Sequence, residues 1–383
     1  MHAEWGLPIA AHPFGVPEVA DTYQTVPVAA RWLTQAEAQL AFRPANAKFV
    51  QMRWWQQGLD PTLLSHSLRE PAEVIAGCVA AYRAGLADRE SSLRIALDAA
   101  EFLIWAQGQA GTGVFPFPAA RGNRDSSAFA SAEHYFAKAQ REGRLNEVVR
   151  NGWAIDDAGN GGLQFDNGEA GSAMLALYEL TRDPKHLASA RKAADWALAR
   201  PLVANWNYNA FSVQLLAKAF AVTGDEQYLR AAKRKALLGV IPGQLTDGPL
   251  AGRWGDAHNA RPEYHYIIML ALSELSAAMP NADSERNAIV RSLQLGLRAR
   301  NQDFISRGAP TKNAALIALL HINRQFASDG AFLDNTLSTQ ALDALGKLVS
   351  AQYRRGNDPV GPRAWGRFLE FVVWKAAAFP TRP

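Results

Sequence analysis

The chain has 383 residues, 48% apolar and 20% charged, enough to bury a large core and too apolar for a disordered chain. Forty basic residues nearly balance 36 acidic ones, and the densest basic runs, Lys233-Arg234-Lys235 and Arg354-Arg355, are too short for the stripe of a nucleic-acid binder. The single Cys78 excludes an intrachain disulfide and a thiolate metal cluster, and no stretch approaches the ~18 apolar residues of a membrane span.

Residues 1–65 hold several prolines and read as an extension that wraps or closes the body of the protein. The start, Met1-His2-Ala3-Glu4-Trp5, could stand where a leader was replaced, so secreted, periplasmic and cytoplasmic compartments all stay open. From residue 70 the chain alternates apolar helices with more charged, amphipathic ones: 70–85 with 89–108, 167–181 with 184–200, 208–222 with 226–240, 262–278 with 283–303, and 312–327 with 335–353. A segment at 126–142 reads as a further inner helix of unclear partner, and a last apolar helix covers about 364–378.

One turn recurs. Thr181-Arg182-Asp183 followed by His186-Leu187 and Ala190 matches Thr223-Gly224-Asp225 followed by Tyr228-Leu229 and Ala232, 42 residues later. The Asp caps the coming helix near its positive end, and Pro184 falls at a first-turn position that tolerates it. Inner-to-outer loops are short. Outer-to-inner loops, at 109–127, 151–168, 201–209, 241–261, 304–311 and 354–363, are long and rich in Gly, Trp, Asn and Asp. Hairpins of this kind, with irregular aromatic loops gathered on one rim, predict a closed ring rather than an open solenoid. The expected fold is therefore all-α, an (α/α)6 toroid or barrel of helical hairpins making one domain over 1–383.

Three loops carry the candidate chemistry. The first holds Trp153, Asp156, Asp157, Asn160, Phe165, Asp166, Asn167 and Glu169, more than helix capping requires. The second, Asn205-Trp206-Asn207-Tyr208-Asn209, offers amides for hydroxyls and flat rings for sugar faces. The third gathers Trp254, Asp256, His258, Arg261, Glu263, Tyr264, His265 and Tyr266; Glu263 and Tyr266, three apart, share a helix face. The two histidines lack zinc-helix spacing, so no metal or cofactor is expected. A fourth loop, Gln107 to Pro118, has glycines but no Gly-Lys-Ser/Thr, and reads as a rim loop with aromatic walls. Eleven tryptophans, among them Trp54-Trp55 and Trp365, fit a carbohydrate cleft.

In its hairpin rhythm, its Thr-x-Asp turns, and the segments 165–169, 205–209 and Arg253-Trp254, the chain resembles the six-hairpin glycosidase-like (α/α)6 superfamily of glycoside hydrolases and polysaccharide lyases. The resemblance implies a substrate cleft at the N-terminal rim of the inner helices. Two enzymatic readings follow, with an oligo- or polysaccharide as partner, the basic balance suiting an acidic one, and neither nucleic acid nor membrane. Hydrolysis needs two carboxylates in opposite protonation states. Glu263 is the expected acid, in an apolar setting that raises its pKa, and Asp157 or Asp166 its partner. Lyase chemistry on a uronate would use Asn207, Arg261, His258 or His265, and Tyr208 or Tyr264. A two-histidine epimerase and a non-catalytic sugar-binding protein are the remaining readings.

Overall fold

A computed structural model describes residues 23–43, 68–119, 127–157, 159, 161–256, 259, 261–357 and 360–378. Six helices form a closed cycle: α2 (Arg69–Arg83), α6 (Gly162–Thr181), α8 (Trp206–Thr223), α10 (Pro262–Ala278), α12 (Asn313–Gln325) and α15 (Pro362–Ala378). Each packs on the next, and α15 packs back on α2. Outer helices back them: α3 (Arg89–Ala110) on α2, α7 (Pro184–Ala199) on α6, α9 (Glu226–Gly239) on α8, α11 (Arg286–Arg307) on α10, and α14 (Ser338–Arg354), preceded by the short α13 (Gly330–Thr336), on α12. Helix α1 (Gln35–Ala41), from the start of the chain, takes the outer place beside α15. The fold is the all-α (α/α)6 toroid that the hairpin rhythm predicts.

Local chemistry explains the hairpins. In both copies of the repeated turn the Thr hydroxyl donates to a carbonyl four residues back, Leu177 at 2.9 Å and Ala219 at 2.7 Å. The Asp amide then donates to that hydroxyl, and the Asp carboxylate accepts the amide two residues on, Lys185 or Gln227, at 3.0 Å. One residue set thus ends a helix, turns the chain and caps the next helix. The aromatic position ties the hairpin sideways: Tyr228 donates to Asp195 of α7 at 2.7 Å.

The ring closes on glycine. A Cβ on Gly77 would lie 2.3 Å from the Pro362 carbonyl oxygen, and one on Gly366 would lie 2.4 Å from the Gly77 carbonyl oxygen. Around this seam Trp32 stacks on Phe368 at 5.4 Å and donates to Asp343 at 2.9 Å, so residues just before α1 are bound to the last hairpin.

Two expectations need correction. Helix α4 (Ser127–Arg141) is not an inner helix; it packs on the short α5 (Leu145–Val148), and α2 meets α6 directly without it. Its exposed His134, Lys138 and Gln140 show why, since an inner helix must be apolar on nearly every side. Second, the segments 162–168 and 206–209 are not loops but the first turns of α6 and α8. At Gly168 a Cβ would come 2.8 Å from Phe211, so glycine serves close helix packing. Among the described residues the strands are two residues long: β1 (Tyr23–Gln24) pairs with β5 (Ala309–Pro310), and β2 (Phe117–Pro118), β4 (Trp153–Ala154) and β3 (Val149–Arg150) form a three-stranded sheet in the order β2-β4-β3, all antiparallel.

Candidate functional site

All six inner helices run the same way, so their N-terminal turns share one rim. A basin of about 90 Å³ lies there. Every inner helix contributes to it. Arg69 and Glu73 come from α2, Phe165 and Glu169 from α6, Phe211 and Gln214 from α8, Glu263 and Tyr266 from α10, Asn313 from α12, and Arg363 from α15. Spacings of three and four residues put each pair on one helix face.

Three carboxyl groups face two guanidinium groups here. Arg363 is ion-paired with Glu169, both nearly buried. Arg69 grips Asp166 with two hydrogen bonds, at 2.8 and 3.1 Å, and lies 3.5 Å over the ring of Phe165, itself stacked on Phe211 at 4.0 Å. Glu73 has no such bidentate partner. Burial, reinforced by the charge of Glu169 and opposed by Arg363, pushes its carboxyl up to about 7. Burial also raises Glu263, with Lys312 opposing and Glu169 adding to the shift. The basin therefore holds one carboxyl, Glu73, poised to keep a proton near neutral pH, a second raised in the same direction, and a third in an ion pair.

Of the residues expected from sequence, Glu263, Glu169 and Tyr266 line the basin. Tyr208 and Tyr264 do not line it; burial raises the Tyr208 phenol, with the charge of Arg69 opposing and Tyr264 adding to the shift. Others are spent on structure. Asp157 accepts the amides of Gly159 at 3.1 Å and Leu163 at 2.8 Å, holding the entry to α6. Asp166 is fully buried, with both oxygens on Arg69. Asn167 accepts from the Phe115 amide and donates to the Ala193 carbonyl. Asn205 caps α8. Asn207 donates to Asn259 at 2.8 Å, and Asn259 donates to Asp256 at 2.7 Å, so this polar chain ties the first turn of α8 to the loop before α10. Arg261 is the exposed N-cap residue of α10. His265 is buried, shares a hydrogen bond with the Gly296 carbonyl at 3.1 Å, and is held well below its usual pKa by burial. It faces the core and not the basin.

The tryptophans are core as well. Trp153, Trp206, Trp254 and Trp365 are all buried, and Trp254 donates to the Val240 carbonyl at 2.8 Å. They are the largest apolar surfaces available and fill the space under the rim loops, so they offer no open sugar platform. Phe115, read from sequence as a rim wall, is likewise fully buried. His258, Asn160 and Trp54-Trp55 lie outside the described residues. Among the described residues no cluster of His, Cys, Asp and Glu is arranged to hold a metal ion.

Sequence reasoning missed Arg69, Glu73 and Arg363. A signal was present: each is a charged residue in the first turns of an inner helix rich in Ala, Val, Phe and other apolar residues, where a channel or a buried pair accommodates it.

No family model and no curated protein matches the sequence. Among solved structures the chain is similar to a polysaccharide lyase, at 14% identity over 91% of this chain and 99% of that one, with a TM-score of 0.49. It is also similar to a glycosyl hydrolase family 88 protein from Bacteroides vulgatus, at 14% identity over 90% and 99% of the two chains, with a TM-score of 0.47.

Proposed function

We propose that the protein is a carbohydrate-active enzyme that hydrolyses glycosidic bonds of an oligo- or polysaccharide at the N-terminal rim of its inner ring. One observation carries the reading: Glu73, pushed up to about 7, shares a basin with Glu169, which is ion-paired to Arg363. Glycoside hydrolysis needs one carboxylic acid to protonate the leaving oxygen and one carboxylate to act as nucleophile or base. Glu73 or Glu263 fills the first role and Glu169 the second. Asp157 and Asp166, favoured from sequence as the partner, are engaged elsewhere by two amides and by Arg69.

The lyase reading is weaker on these residues. A base for β-elimination should lose its proton easily, whereas burial drives Tyr208 up, against the pull of Arg69, and His265 is shut in the core. The two-histidine epimerase reading loses His265 for the same reason.

The test is a panel of neutral and uronate-containing polysaccharides assayed for new reducing ends and, in parallel, for the near-ultraviolet absorbance of an unsaturated product. Reducing ends without that absorbance, abolished in Glu169→Gln, support hydrolysis. Absorbance on a uronate polymer would replace it with elimination. Full activity in Glu169→Gln would remove the basin from the mechanism.

A further inference from the structure

The larger cavity of the ring is at the other mouth. It measures about 490 Å³ and lies between the C-terminal parts of α2, α6, α8, α10 and α12 and the first half of α15, whose Arg363 lines both cavities. The same channel-facing stripes lead to it. On α10, Glu263, Ile267 and Leu270 face the rim basin, while Leu270, Glu274 and Ala277 face the second cavity. Eleven residues separate Glu263 from Glu274, roughly 16 Å of helix.

The lining is charged where a packed core would be apolar. Lys218 of α8 meets Glu274 at 2.9 Å, with the His321 ring nitrogen Nδ1 4.0 Å from the same carboxylate. Burial alone would push Glu274 up, but the charge of Lys218 outweighs it and holds the carboxyl at about 2, while burial lowers His321 itself against the pull of Glu274. Glu370 sits between Arg324 at 3.4 Å and Arg367 at 3.3 Å. Guanidinium and ammonium groups carry more donors than these carboxylates absorb. The Nε2 atom of His321 is buried and has no hydrogen-bond partner. Some cation excess answers the negative ends of the inner helices, yet that field fades within the last turn. Lys218 stands five residues, and Glu274 and His321 four, before the ends of their helices.

We propose that this second cavity binds a small organic or inorganic anion bearing a carboxylate or phosphate group, held by Lys218, His321, Arg324 and Arg367. The site uses none of the rim carboxyls, and it meets the rim basin at Leu270, Ile317 and Arg363, which line both cavities. Lys218 and the two arginines of α12 and α15 take the ligand's charge, and His321 lines the wall beside them. The walls of Leu270, Ile317 and Phe371 leave an apolar face for the carbon skeleton of such a ligand.

Calorimetric titration of the purified chain with inorganic phosphate, with glucuronate and with glucose tests this. One equivalent of phosphate or glucuronate should bind, and glucose should not; which anion binds tells phosphate chemistry from carboxylate chemistry. Ala277 is exposed at the lip of the cavity, so Ala277→Trp should obstruct it without repacking the core. That variant, and separately the pair Arg324→Gln and Arg367→Gln, should weaken binding at least tenfold while leaving turnover at the rim unchanged. Absence of binding by either anion at millimolar concentration overturns the proposal. So does binding that survives Ala277→Trp, because the anion would then sit elsewhere.

Discussion

Replacing Glu73 by Gln separates the electrostatics of the basin from its shape. Glu73 is partly buried, and its carboxyl is raised from 4.5 to about 7 by burial, then by Glu169. Below about pH 4.5 the folded and unfolded chains both hold this proton, and the group is neutral to stability. Between 4.5 and 7 only the folded chain holds it, so stability falls as pH rises. Above 7 both have lost it, and the full cost remains: about 2.5 pKa units, or ~3 kcal/mol at ~1.4 kcal/mol per unit. Glu73→Gln keeps the shape and cannot ionise. Thermal and denaturant unfolding of both proteins from pH 4 to 8.5 should therefore show wild type losing about 3 kcal/mol relative to the variant across this window. At roughly 2 °C per kcal/mol for a chain of this size, the two melting curves separate by about 6 °C. With Glu73 as the acid, turnover falls in the same direction: wild-type kcat/KM drops above pH 7, and the variant loses about 100-fold or more throughout. Parallel stability profiles for the two proteins would refute the idea that Glu73 is held protonated by its surroundings.

Three other outcomes follow from the packing. Gly366→Ala puts a methyl group within 2.4 Å of the Gly77 carbonyl, where backbone meets backbone, and should cost about 1–3 kcal/mol or more in denaturant unfolding; a neutral result would mean the ring seam is looser than described. Asp225→Ala removes the cap of α9 and should cost ~1 kcal/mol, recovered in large part by Asp225→Asn. Arg363→Met strands the nearly buried Glu169 and should destabilise the fold by about 3–5 kcal/mol at neutral pH, measured by denaturant unfolding.

The amino-acid sequence by itself determined the hairpins. Thr181 with Asp183 and Thr223 with Asp225 end one helix and begin the next through contacts spanning only a few residues, so the pattern is visible in one dimension. The sidedness of each helix was legible for the same reason, because a period near 3.6 needs no partner to be read. What only the tertiary structure decided is which polar groups are left over. Asp157, Asn167 and Asn207 look like binding residues until the Leu163 amide, the Ala193 carbonyl and Asn259 arrive to satisfy them. Trp206 and Trp254 look like sugar platforms until the loops fold over them. Glu73 and Arg363 are nearly 300 residues apart, and they share a basin only because the last helix returns to the first across a glycine seam. A cap is a local bond, whereas the proton affinity of a carboxyl is set by every charge and every apolar wall that ring closure brings near it.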